Sequence, residues 1–147
     1  MIGALLLEAL WKRRTERAFA DRDVEAMMRL WDPHGVLEFG GTNGMSGRFV
    51  GEAEIRAWME RWFTRMRDLR VTVGRVAVAR PWALGLTNTV MYELHVEETS
   101  YDGRTVSADL VSVADLRRGR LVHVRDFPFD ETPELLMWGP HRDEARP

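Results

Sequence analysis

The spacing of apolar residues changes once along this chain, and that change sets its fold class. Ile55, Trp58, Met59, Trp62, Phe63, Met66 and Leu69 recur at three- and four-residue steps, with charged residues between them. Such a pattern belongs to a helix that buries one face. From Arg70 onward the period becomes two: Val71, Val73, Val76 and Val78 open a strand that Arg80-Pro81-Trp82 turns. A long strand follows over about 83–99. Tyr101-Asp102-Gly103-Arg104 carries a type I′ hairpin signal, the return strand covers about 105–115, and a last strand spans 121–127 before Pro128.

Upstream, residues 2–19 read as a helix with Ile2, Leu5, Leu6, Ala9 and Leu10 as its apolar stripe. Asp21 or Asp23 caps a second helix carrying Val24, Met27, Met28 and Trp31, and Pro33 stops it. A short strand at 36–39 precedes a stretch punctuated by Gly40, Gly41, Gly44, Gly47 and Gly51. That stretch is a surface loop, with a mobile flap as its functional alternative. Residues 134–138 form a closing helical turn. Helix, helix, strand, helix and a four-strand antiparallel meander predict an α+β domain. Its strongly curved antiparallel sheet packs on three helices as a cone enclosing an apolar pocket. Residues 1–139 make up this single domain, and 140–147 are a disordered tail.

Hairpin arithmetic assigns the faces. Pairing Tyr101 with Arg104 places Val96 opposite Asp109, Leu94 opposite Val111 and Tyr92 opposite Val113, with Val124 and Asp126 beside them on the last strand. That face is the more apolar, so it is the concave one. Asp126 and Asp109 then interrupt an apolar wall, where desolvation raises a carboxyl pKa into a range useful for acid/base work. Tyr92 is placed to donate a hydrogen bond to a developing oxyanion. Trp31, Phe39, Trp58, Trp62, Leu94, Val111, Val113 and Val124 complete the predicted lining.

Composition excludes several function classes. A net charge of −2 offers no basic field for nucleic acid, and the absence of cysteine removes thiolate chemistry and disulfides. His34, His95, His123 and His141 lack metal-ligand spacing, so no metal or other cofactor is expected. The apolar N-terminal run is broken by Glu8 and followed, not preceded, by basic residues, so it reads as an amphipathic helix rather than a targeting segment. No membrane association is expected, and a cytoplasmic location is. Six Trp and eight Met supply large side chains for a core or a roomy pocket.

Three segments carry a resemblance: AFADRDVEAMMRLWDPHGVLEF, GEAEIRAWMERWF and GRLVHVRDFPFDETPELLMWG. Over about 11–139 the chain resembles the nuclear-transport-factor-two-like superfamily, and more narrowly the SnoaL-like polyketide cyclases. The resemblance implies a cofactor-independent cyclase or isomerase that closes a ring in a small apolar metabolite, by aldol or epoxide-opening chemistry. It carries the pocket acid to Asp126, with Asp130 as the fallback. Ketosteroid isomerases share the fold, yet their chemistry-bearing places fall here on Thr15, Phe39 and Val111, which cannot perform it. The alternative is a non-catalytic small-molecule-binding or assembly protein. A homodimer through the open sheet face is expected under either reading.

Overall fold

The computed structural model describes residues 2–83 and 86–141. The side chains of residues 1–7, including Ile2, Leu5 and Leu6 of the expected stripe, lie outside the described residues, as does the 142–147 part of the tail. The elements are α1 (Ile2–Asp21), α2 (Val24–Met28), β1 (Trp31–Phe39), β2 (Gly47–Val50), α3 (Gly51–Arg65), β3 (Met66–Val78), β4 (Thr87–Ser100), β5 (Thr105–Arg117), β6 (Arg120–Pro128) and α4 (Thr132–Trp138). One sheet runs in the order β2-β1-β6-β5-β4-β3. The antiparallel meander β3 to β6 forms one side, and β1 joins β6 in parallel.

The helices cover the concave face of this sheet. α3 buries Ile55, Trp58, Met59, Trp62 and Phe63, the stripe expected from its periodicity. Met66 is also fully buried, but from the start of β3. In α1 the stripe is displaced from the expected one. Ala9 and Leu10 are exposed, while Trp11, Ala18 and Phe19 pack on the core. Phe19 meets Trp62 edge-on at 5.3 Å. α1 is also tied to β3: the Val73 N–H donates to Glu16 Oε1 at 2.8 Å, where the β3–β4 register shifts.

Two local expectations need correction. Asp23 caps α2, accepting from the Ala26 N–H at 3.0 Å, but the helix ends at Met28, so Trp31 already belongs to β1. Pro33 is tolerated in that strand because it lies where the β1–β6 pairing is interrupted, between Trp31 and Val36. The glycine-rich stretch is a loop over 40–46 that is tied to the core, and it continues as β2 and the start of α3. Asn43, Met45 and Ser46 are buried, the Trp58 Nε1–H donates to the Met45 carbonyl at 3.0 Å, and Asn43 bridges to Pro140. Gly44 is required there, since a Cβ would stand 2.8 Å from the Trp138 carbonyl oxygen.

The β4–β5 hairpin carries the most consequential difference. The Ser100 N–H donates to the Arg104 carbonyl and the Gly103 N–H to the Ser100 carbonyl, which makes a three-residue loop with Gly103 at φ 88°. The type I′ reading assumed two residues. The extra residue shifts the pairing by one, so Tyr92 opposes Ser112, Leu94 opposes Leu110, Val96 opposes Ala108, and His95 opposes Asp109. A one-residue slip turns every side chain of the partner strand to the other face. Asp109, Val111 and Val113 therefore lie on the outer face, and Ala108, Leu110 and Ser112 on the concave one. Because Gly103 occupies left-handed backbone, Gly103→Ala is expected to cost roughly 1–2 kcal/mol, read as a lower urea midpoint with an unchanged slope.

Candidate functional site

The concave face and its helices enclose a hollow of about 1250 Å³, counting the part open to solvent. Its wall is mostly apolar. Trp31, Phe39, Trp58, Trp62, Leu94 and Val124 line it, as expected, together with Met45 and Trp11. The ring stacks that shape this wall include Phe39 with Trp58 at 5.6 Å and Trp58 with Trp62 at 5.4 Å.

A polar row crosses the wall. Tyr92 on β4, Ser112 on β5 and Asp126 on β6 are direct cross-strand neighbours, and Asp126 is paired in turn with Phe39 on β1. The Ser112 hydroxyl donates to Asp126 Oδ1. Tyr92 stands directly across from Ser112 in the β4–β5 register, so its phenol and the Ser112–Asp126 pair share one row on the wall of the hollow.

Burial pushes the Asp126 carboxyl up to about 6, and the Ser112 hydrogen bond holds it back from rising further. Burial also raises the Tyr92 phenol, with the nearby Asp126 charge adding to the effect. Tyr92 therefore stays protonated and acts as a donor. Beside it stands Trp11, ring centroids 5.5 Å apart, whose buried Nε1–H has no hydrogen-bond acceptor. A base poised near neutrality, two strands from a protonated phenol on the same wall, suits proton removal next to a carbonyl.

Deeper along β4 is a second acidic position. Glu98 is 8% exposed and Glu134 on α4 is 7% exposed, and both line the hollow. The Trp62 Nε1–H donates to Glu98 Oε1. Burial raises the Glu98 carboxyl to about 7, opposed by the Trp62 hydrogen bond and reinforced by Glu134. Burial raises Glu134 as well.

The other sequence candidates lie elsewhere. Asp109 is an outer-face residue whose Oδ1 sits 2.7 Å from His95 Nδ1, while Ser107 Oγ is 3.3 Å from His95 Nε2. This Ser–His–Asp contact is exposed and outside the hollow. Val111 and Val113 flank it on the same face. Asp130 is exposed and accepts from the Thr132 N–H and hydroxyl at 2.9 and 2.7 Å, which holds its carboxyl below the ordinary range and fixes the start of α4. Glu38 points outward, 3.2 Å from the Arg48 Nε. Among the wall residues that escaped sequence reasoning are Ser112, Trp11, Met45, Glu98 and Glu134. Glu98 shares parity with Tyr92, Leu94 and Val96, so the alternation itself marked it as inward. Ser112 needed the correct hairpin length. Among the described residues, no helix is long and apolar enough to cross a membrane, and no group of three or more His, Asp or Glu is placed to hold a metal ion.

Known proteins resemble this chain in both sequence pattern and shape. The model of the SnoaL-like domain family matches residues 12–124. An NTF2-like protein of unknown function from Burkholderia pseudomallei K96243 superposes with a TM-score of 0.71 at 19% identity, covering 86% of this chain and 92% of that one. A candidate isomerase from Bacillus subtilis gives 0.70 at 23% identity, covering 88% and 91%. A candidate SnoaL-like polyketide cyclase from Jannaschia sp. CCS1 gives 0.66 at 16% identity, with 95% of each chain covered. At these identities the likeness is one of fold, which hosts many chemistries. No curated protein matches the chain.

Proposed function

Because the chain belongs to the SnoaL-like domain family, we propose that it is a cofactor-independent cyclase or isomerase acting on a ring-bearing, carbonyl-containing metabolite. The observation that carries this reading is Asp126, a half-buried carboxyl hydrogen-bonded to Ser112 and opening onto an apolar hollow. Ionised Asp126 removes a proton from the carbon next to a carbonyl. The Tyr92 hydroxyl donates to the enolate oxygen, with the Trp11 indole packed beside that phenol. The proton on Asp126 is then returned, to a different carbon in an isomerisation or to the new alkoxide after ring closure. The aromatic wall holds a flexible substrate in the reactive conformer.

The test uses a simple carbon acid, 2-tetralone, in heavy water, with deuterium entry at its α-carbons followed by proton NMR. The protein is expected to accelerate exchange above buffer, with a rate that rises through a pH of about 6 as Asp126 ionises. Exchange no faster than in buffer across pH 5–9 would remove this reading. Ser112→Ala deletes the hydrogen bond that holds the Asp126 carboxyl down, so the rising limb is expected to move to higher pH. A limb that stayed in place or moved lower would show that Ser112 does not act on this carboxyl.

The outer face has a role on the same proposal. Met91 and Phe127 are 48% and 50% exposed, and with Val111 and Val113 they form an apolar cluster across β4, β5 and β6. We propose that two copies pair through it. Light scattering is expected to give twice the chain mass, and a mass of 17.0 kDa at micromolar concentration would contradict pairing.

A further inference from the structure

We propose that the Glu98–Glu134 end of the hollow is a binding site for an organic ammonium group, so that the ligand is a ring-bearing amine and not a purely apolar molecule. The inference rests on reading the hollow as a ligand site, and it narrows the class of ligand.

Four observations support it. Glu98 and Glu134 are more than nine-tenths buried, and both face the same cavity. Glu134 Oε2 is enclosed and has no hydrogen-bond partner. Isolated carboxylate oxygens are costly to bury, so a donor from a bound molecule would offset that cost. Glu98 takes one neutral donor, the Trp62 indole, and among the described residues neither carboxylate has an ion-pair partner. Arg65 and Arg104 are engaged by the Met137 carbonyl and Asp102 instead, and Arg14, which also lines the hollow, forms no ion pair with either acid. Finally, Trp58 and Trp62 line the cavity with these acids, while the Trp138 ring is taken by the Arg65 guanidinium, 5.0 Å from its centroid. Aromatic faces beside carboxylates are the surroundings in which alkylammonium groups bind, because ring quadrupole and charge act together.

The position along the sheet separates this end from Asp126. Glu98 pairs with Val106, and Asp126 with Ser112, six residues further along β5. That is roughly 20 Å of strand. An amine seated at Glu98 and Glu134 would leave the rest of an elongated, ring-bearing molecule to reach Asp126. The acidic end would therefore set which end of the ligand enters first.

The experiment compares benzyltrimethylammonium with its neutral carbon isostere, neopentylbenzene, by tryptophan fluorescence and calorimetry at pH 8. The wild-type protein is expected to bind the cation at least ten-fold more tightly. In a Glu98→Gln/Glu134→Gln double variant that preference is expected to vanish, while the neutral isostere binds as before and so reports an intact hollow. Asp126→Asn is expected to keep the preference. Equal or tighter binding of the neutral compound by the wild-type protein would overturn the proposal, as would a preference that survives the double variant. Loss of the preference in Asp126→Asn alone would place the cation at the other end and also overturn it. None of these outcomes bears on deuterium exchange into 2-tetralone, so the catalytic reading stands or falls separately.

Discussion

Asp126→Asn is expected to slow deuterium exchange into 2-tetralone by roughly 10²–10⁴-fold, the range general-base catalysis supplies. The amide keeps the volume of the carboxylate and can still accept the Ser112 hydrogen bond, so the wall around it remains in place. Binding of a flat ring compound such as 2-naphthol, followed by tryptophan quenching, is expected to change little. The loss should therefore fall on turnover and not on affinity. Asp109→Asn is the matched control. It removes a carboxylate of the same type from the outer face, where it contacts His95, and exchange is expected to continue at the wild-type rate. A variant pair in which both substitutions slowed exchange equally would point to a general effect on the fold.

The second large effect is on stability. Glu98 titrates near 7 in the folded chain, well above the ordinary glutamate value. Between those two values the folded state holds a proton that the unfolded chain has released, so stability falls as pH rises through this window. Above about 7 the full cost of burying the charge is present, about 3 kcal/mol from the size of the shift. Glu98→Gln cannot ionise, and its side-chain oxygen can still accept from the Trp62 indole. The variant is expected to be more stable than wild type at pH 8 by about 2 kcal/mol, or several degrees in Tm, and to differ little at pH 4.5. Thermal melts at the two pH values test this. A Glu98→Gln protein that melts lower than wild type at pH 8 would show that the ionised carboxylate is already satisfied in the folded chain. Keeping a destabilising acid in the wall is the behaviour of a functional group rather than a packing one.

Much of the architecture could be read from spacing alone because its elements are long and their patterns strong. The α3 stripe from Ile55 to Phe63 buries as its three- and four-residue steps require, and the β3–β6 meander follows from period-two alternation. Short-range geometry was harder to read. Tyr101-Asp102-Gly103 fits both a two-residue type I′ turn and a three-residue loop with glycine in left-handed backbone, and the two differ by one residue of register. That single residue moved Asp109, Val111 and Val113 to the outer face and brought Ser112 inward. Asp126 kept its face because alternation along β6 and the pairing with β1 orient it independently of that hairpin. Trp31 was drawn into α2 because its spacing from Met27 and Met28 is helical, although the chain is already extended before Pro33. The Gly47–Val50 edge strand could not be seen in the sequence at all, since four residues with one glycine carry no period. Glu134 was legible only as part of a closing helix, and its place over Glu98 depends on how α4 folds back across the sheet.

The central claim is that Asp126 is a desolvated carboxyl facing the hollow, whose ionisation governs proton transfer there. Its most direct test is the carboxyl-carbon NMR titration of protein labelled with carbon-13 at the aspartate side chains, the Asp126 signal being the one missing from Asp126→Asn. The expected midpoint is about 6, coinciding with the rising limb of the exchange rate. An Asp126 midpoint near 4, that of an ordinary solvated aspartate, would contradict the account.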